Sequence, residues 1–115
     1  MNNPSKDLIA ASSIPIVLSI LSQGESYGYD IISKIKAASN GKLEFSDGTL
    51  YPILRKLEEK KLIVSEWRVA ENEKRRRYYR ITDTGKEKFD TEKLNWKFMN
   101  ELLQQFWTTP QPKLI

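Results

Sequence analysis

The sequence predicts a mainly α chain carrying a single β-hairpin. Three observations carry that expectation. Apolar residues recur at helical spacing in separate stretches along the chain. Two runs rich in β-formers, LIVSEWRV at 62–69 and RRYYRIT at 76–82, stand close together after the third of those stretches. Serine, glycine and asparagine fall between the helical stretches, where helices need caps and stops.

The first helix covers residues 5–21, with Leu8, Ile9, Ile14, Val17, Leu18 and Leu21 at helical spacing. Pro15 interrupts the pattern. It either kinks one long helix or sits in the first turn of a shorter one capped by Ser12 or Ser13. Gly24 is placed to end this helix in the left-handed region. A second helix starts near Ser26, buries Ile31, Ile32 and Ile35, and stops at Asn40-Gly41. Leu43 and Phe45 suit a short extended piece before the third helix.

The third helix has Ser46 as its N-cap and Asp47 in its first turn, where a negative charge suits the helix dipole. Leu50, Ile53, Leu54 and Leu57 share one face. At about 100° per residue the opposite face carries Gly48, Thr49, Tyr51, Pro52, Arg55, Lys56 and Glu59. Pro52 has two readings. If the helix begins at Ser46, Pro52 lies in its interior and leaves the Gly48 carbonyl without its usual partner, at a cost of roughly 3 kcal/mol. If residues 46–50 form a tight turn, Pro52 occupies the helix's first turn at little cost.

The hairpin follows. Its connecting segment, AENEK, has no glycine or proline to force a tight turn, so a longer, looser tip is expected. Thr82-Asp83 then starts a last helix over 83–107. On it Phe89, Trp96, Met99, Leu103 and Phe106 follow heptad-like spacing, and Leu94, Phe98, Leu102 and Trp107 widen the apolar face. Three helices, a hairpin and a long helix make a winged helix-turn-helix domain over 5–82 and a C-terminal dimerisation helix over 83–108, packed with helix one. Residues 109–115 form a frayed tail.

Composition narrows the function. The chain has 115 residues, enough for one domain, and contains neither cysteine nor histidine. A disulfide framework, a cysteine nucleophile, thiolate or imidazole metal ligands and the commonest general base are therefore excluded. An enzyme would need a carboxylate pair in a cleft, and the acidic residues fall instead on helix and hairpin faces. No catalytic residue, metal or cofactor is expected. The net charge is +4, but KRRRYYR, Lys74 to Arg80, gathers five positive charges with no negative one. Such a block points to a polyanionic partner. The longest apolar run is too short and too broken to span a bilayer, and MNNPSKD lacks a signal-peptide pattern, so a cytoplasmic location is expected. A membrane-surface role for the last helix is disfavoured by Glu92, Glu101 and the lack of a lysine-rich polar face.

The stretches YGYDIISKI, GTLYPILRKLEEKKLI and RRRYYRITDTGKE resemble the PadR family of bacterial transcriptional regulators. The likeness runs from Leu18 to about Lys88. It implies a repressor that binds a palindromic double-stranded DNA operator as a homodimer. The single last helix is similar to that of the smaller subfamily, which dimerises through one C-terminal helix. Trp96 further resembles LmrR-like members, in which a tryptophan from each subunit lines a ligand pore at the dimer centre. The wing tip departs from the family, where glycines are common, because Glu71 and Glu73 stand directly beside the basic run.

Each motif also has a plainer reading. Ser46, Gly48, Thr49 and Tyr51, with Arg55 and Lys56 a turn further on, suit phosphate and base contact at a helix N-terminus. Lys74, Arg75 and Arg76 either hold the DNA backbone or pair with Glu66, Glu71 or Glu73; exposed pairs are worth only about 0–1 kcal/mol, too little to explain the cluster. Arg77 and Arg80 read as structural. Tyr27 and Tyr29 either pack on helix three or offer a hydroxyl to a phosphate. Trp96, with Phe98 or Met99, either stacks a flat hydrophobic effector or is simply dimer-interface core. The competing function is a winged-helix protein-interaction adaptor that binds no DNA.

Overall fold

The computed structural model describes residues 4–69 and 71–108; the tail expected to fray, 109–115, lies outside them. Seven elements follow one another: α1 (Lys6–Ser22), β1 (Ser26–Tyr27), α2 (Gly28–Ala38), α3 (Asp47–Glu59), β2 (Ile63–Val69), β3 (Arg75–Ile81) and α4 (Asp83–Thr108). The strands form an antiparallel sheet in the order β1-β3-β2.

Helix α1 is one long helix with Pro15 inside it, capped by Ser5, whose hydroxyl accepts from the Leu8 N–H. The alternative caps serve another purpose: Ser13 donates back to the Ile9 carbonyl and Ser12 to that of Leu8. Ser19 donates to the Pro15 carbonyl at 2.5 Å. Side-chain donors bonding back one turn often bend helices. Gly24 takes φ +145°, and Asn40 and Gly41 take φ 53° and 80°, so positive-φ residues follow the ends of both helices, where stops are expected.

The second helix starts at Gly28, two residues later than Ser26, because Ser26 and Tyr27 pair with Tyr79 and Tyr78 as a third strand. The Ser26 hydroxyl then donates to the Asp30 carboxylate inside α2's first turn. The extended piece expected at Leu43 and Phe45 is not a strand; Phe45 enters the core from an irregular segment.

The core joins Val17, Leu18 and Leu21 of α1 with Ile31 and Ile35 of α2, Leu50, Leu54 and Leu57 of α3, and Ile63 and Tyr79 from the sheet. Burial of this set orients α3 so that its polar side faces outward. Thr82 joins wing to tail: its hydroxyl donates to the Leu62 carbonyl and accepts the Gly85 N–H at 3.0 Å. That contact leaves no room at Gly85. A Cβ there would lie 2.0 Å from the Leu62 carbonyl oxygen and 2.7 Å from Ile81. Gly85→Ala is therefore expected to destabilise the fold by about 1–3 kcal/mol, although alanine favours helix, and a thermal melt checks it.

Beyond Phe89, which is half-buried against the core, α4 leaves the body of the domain. Leu94, Trp96, Phe98, Met99, Leu102, Leu103, Phe106 and Trp107 are all exposed, Phe106 at 73 %.

Candidate nucleic-acid interface

Ser46 caps α3 by accepting the Thr49 N–H at 3.2 Å, and the two hydroxyls lie 3.2 Å apart. The helix begins at Asp47, so Pro52 is an interior residue. Three lines of side chains run along the outward half of α3. Gly48, Pro52 and Arg55 are exposed along its centre. Thr49 and Lys56 turn toward α1, where they edge a cleft that also takes in Lys6 and Ile53. Tyr51 turns the other way, toward the wing and the start of α2. Its ring lies over Gly28, where an added Cβ would be 2.6 Å from the Tyr51 hydroxyl. Gly28 is thus the residue that lets the second and third helices close up.

The wing register pairs Trp67 with Arg77, Arg68 with Arg76 and Val69 with Arg75. Alternation puts Trp67, Arg75, Arg77 and Tyr79 on the face toward α3, and Arg68, Arg76, Tyr78 and Arg80 on the other. Arg77 is structural, as expected. Its Nε donates to the Ser65 hydroxyl at 2.8 Å and its terminal nitrogen to the Glu58 carboxylate at 3.1 Å, tying β3 to α3. Burial pushes the Tyr79 phenol up.

The outer face holds an aromatic and ionic belt. Tyr27 meets Tyr78 edge to face at 5.4 Å, so Tyr27 packs on the wing rather than on helix three. Arg76 lies over the Tyr27 ring at 4.5 Å and Arg68 over that of Tyr78 at 4.8 Å. Arg68 donates to both oxygens of Glu25, at 2.5 and 2.7 Å, and also to Glu66. The Arg68 bond holds the Glu25 carboxyl below its ordinary range, with Arg80 adding to the effect. Tyr29 is 74 % exposed.

Among the described residues, Lys74, Arg75 and Arg76 pair with no carboxylate. Glu66, the acid across the hairpin, is taken by Arg68, and Glu73 adopts φ 64° at the hairpin tip. Arg75 instead stacks over the ring of Trp67 at 5.3 Å. A groove of about 390 Å³ between α2, α3 and the wing brings Tyr27, Tyr29, Tyr51, Arg75 and Arg76 together with Trp67. Trp67, 56 % exposed, is the participant that the sequence alone did not single out. Its signal was present in the alternation Ile63, Ser65, Trp67, Val69, which places it opposite the basic run.

Residues 17–91 match the transcriptional regulator PadR-like family. The chain belongs to that family.

This PadR-like regulator is similar along nearly its whole length to solved relatives. A transcriptional regulator from Clostridium thermocellum is 32 % identical, covers 88 % of this chain and 98 % of its own, and superposes with a TM-score of 0.79. A PadR-like transcriptional regulator from Bacillus cereus is 27 % identical, covers 91 % of this chain and 100 % of its own, with a TM-score of 0.80. An uncharacterized protein X from Lysinibacillus sphaericus is 28 % identical over 100 residues, 87 % of this chain and 92 % of that protein. At the wing tip Glu73 is the positive-φ residue. The Lys74 N–H bonds to the Asn72 side chain at 3.2 Å and steadies the turn. Among the described residues no helix is long and apolar enough to cross a membrane, and no cluster of metal-ligating side chains occurs.

Proposed function

We propose that this regulator is a dimeric repressor that binds a palindromic double-stranded DNA operator. Helix α3 reads the major groove through its exposed line at Gly48, Pro52 and Arg55, with Tyr51 and Lys56 on its flanks. Lys74, Arg75 and Arg76 hold the flanking backbone. The observation that carries this reading is the set of three wing cations left without an acid among the described residues, two of which, Arg75 and Arg76, line the groove that α3 edges through Tyr51. Cations arranged this way give a duplex the phosphate contacts that fix its register, and the helix supplies the base contacts. An adaptor that binds an apolar protein partner has no use for them.

In the dimer, Trp96, Met99, Leu103 and Phe106 of the two α4 helices meet, with Phe89 at the base of the seam. Trp96 and Met99 lie on one side of α4, whereas Phe98 stands about 200° round from Trp96. A flat hydrophobic effector held between the two Trp96 rings would alter the spacing of the α3 helices, provided that it binds one spacing better than the other.

Selection of bound duplexes from a random double-stranded pool tests the reading. Enrichment of two inverted half-sites about 10 base pairs apart, or a multiple of that, is the expected result. A pool that stays random at low salt overturns it and leaves the adaptor reading in its place.

A further inference from the structure

Helix α3 breaks two local rules on neighbouring turns of its outward line. Gly48 and Pro52 both lie inside Asp47–Glu59, and both are exposed. Glycine and proline are the two least favourable residues in a helix interior. Neither is repaid within the fold. A Cβ built on Gly48 meets only the Ser46 hydroxyl, at an ordinary 3.7 Å, whereas the same atom at Gly28 or Gly85 would collide with a neighbour. Pro52 takes no part in the core cluster. Local rules broken without internal compensation are the mark of a functional surface.

Both residues act on one peptide group. Pro52 has no N–H, so the Gly48 carbonyl loses the donor that a helix would supply one turn on. Gly48 and Pro52 are both exposed, so this peptide group lies on the outward side of the helix. Once a partner covers this face, the carbonyl needs a donor from that partner or its desolvation weakens binding. Phosphate oxygens only accept. In the major groove the available donors are the exocyclic amino groups of adenine and cytosine.

Resting on the DNA-binding reading above, we infer that the Gly48 carbonyl, freed by Pro52, is a specificity-determining acceptor for one adenine or cytosine amino group in each half-site. It follows that this turn of α3 lies on base edges, and that phosphate contact falls to the flanks and the wing.

The test uses the duplex that selection yields. Each adenine in turn is replaced by unsubstituted purine, and each cytosine by 2-pyrimidinone, symmetrically in both half-sites. These bases lack only the amino group. Affinities are measured for the natural chain and for Pro52→Ala, which restores the N–H to the Gly48 carbonyl. Weakened base pairing within the duplex affects both proteins equally, so the ratio isolates the contact. At one position the natural chain should lose at least about fivefold and Pro52→Ala less than about twofold. Pro52→Ala should also melt at a higher temperature, because the helix regains a bond. A flat profile for the natural chain, or equal losses in both proteins, overturns the inference while salt-dependent binding leaves the DNA reading standing. If neither protein enriches any duplex, both readings fall together.

Discussion

Raising salt from about 50 to 200 mM should lower operator affinity by roughly 10³–10⁵. That magnitude belongs to proteins that neutralise 6–10 phosphates and release the counterions condensed on them. A dimer of this chain reaches that range from Lys56, Lys74, Arg75 and Arg76 in each subunit. None of the four forms an ion pair among the described residues. Two other wing cations are already engaged. Arg77 is held by Glu58 and Ser65, and Arg68 by Glu25 and Glu66. Removing an engaged arginine should therefore lower fold stability more than it changes the salt slope. Replacing Arg75 or Arg76 by alanine should do the reverse, reducing the slope by about one for each phosphate no longer neutralised. Equilibrium titration of a labelled duplex at several salt concentrations separates the two groups. A slope near zero, or an Arg77 variant with the larger slope change, would contradict the assignment.

The framework that sets up this surface was legible because its signals are periodic and local. Leu50, Leu54 and Leu57 repeat at helical spacing and are buried as that spacing requires. Asn40-Gly41 stops α2 through positive φ values that those residues tolerate. The features that were not legible depend on distance along the chain. Strand β1 has only Ser26 and Tyr27, too few residues to display alternation, and exists because β3 offers it an edge. The Glu25–Arg68 bridge joins residues 43 apart in sequence. No local pattern can announce such a pair. The contact of Tyr51 with Gly28 is of the same kind. Trp67 is different, since strand alternation alone puts it beside the basic run. It is easily passed over because an apolar residue in a strand reads first as core.

Leu103→Asp should convert the protein from dimer to monomer without unfolding the winged-helix domain. The separation of effects follows from where α4 lies. Its large apolar residues from Leu94 to Trp107 are exposed in the single chain, Leu103 at 41 %, whereas the core ends at Phe89. Burying a large apolar side chain is worth about 1.5–3 kcal/mol, so half a dozen of them left in water forfeit on the order of 10 kcal/mol of gross stabilisation. In the proposed dimer a second copy would recover that through a two-fold interface in which each position meets its own symmetry mate or a neighbour of it. One aspartate per chain then places two carboxylates inside an apolar seam, where neither finds a partner. Operator affinity should fall by about 10²–10⁴, because the second half-site is no longer bound at the high local concentration that a joined pair provides. The half-site affinity of the monomer should keep the salt slope expected of one wing and one α3. Sedimentation equilibrium, a thermal melt and duplex titration on the same sample decide the matter. A variant that remains dimeric, or a monomer that holds the full palindrome as tightly as the natural chain, would show that α4 is not the element that joins the subunits for DNA binding.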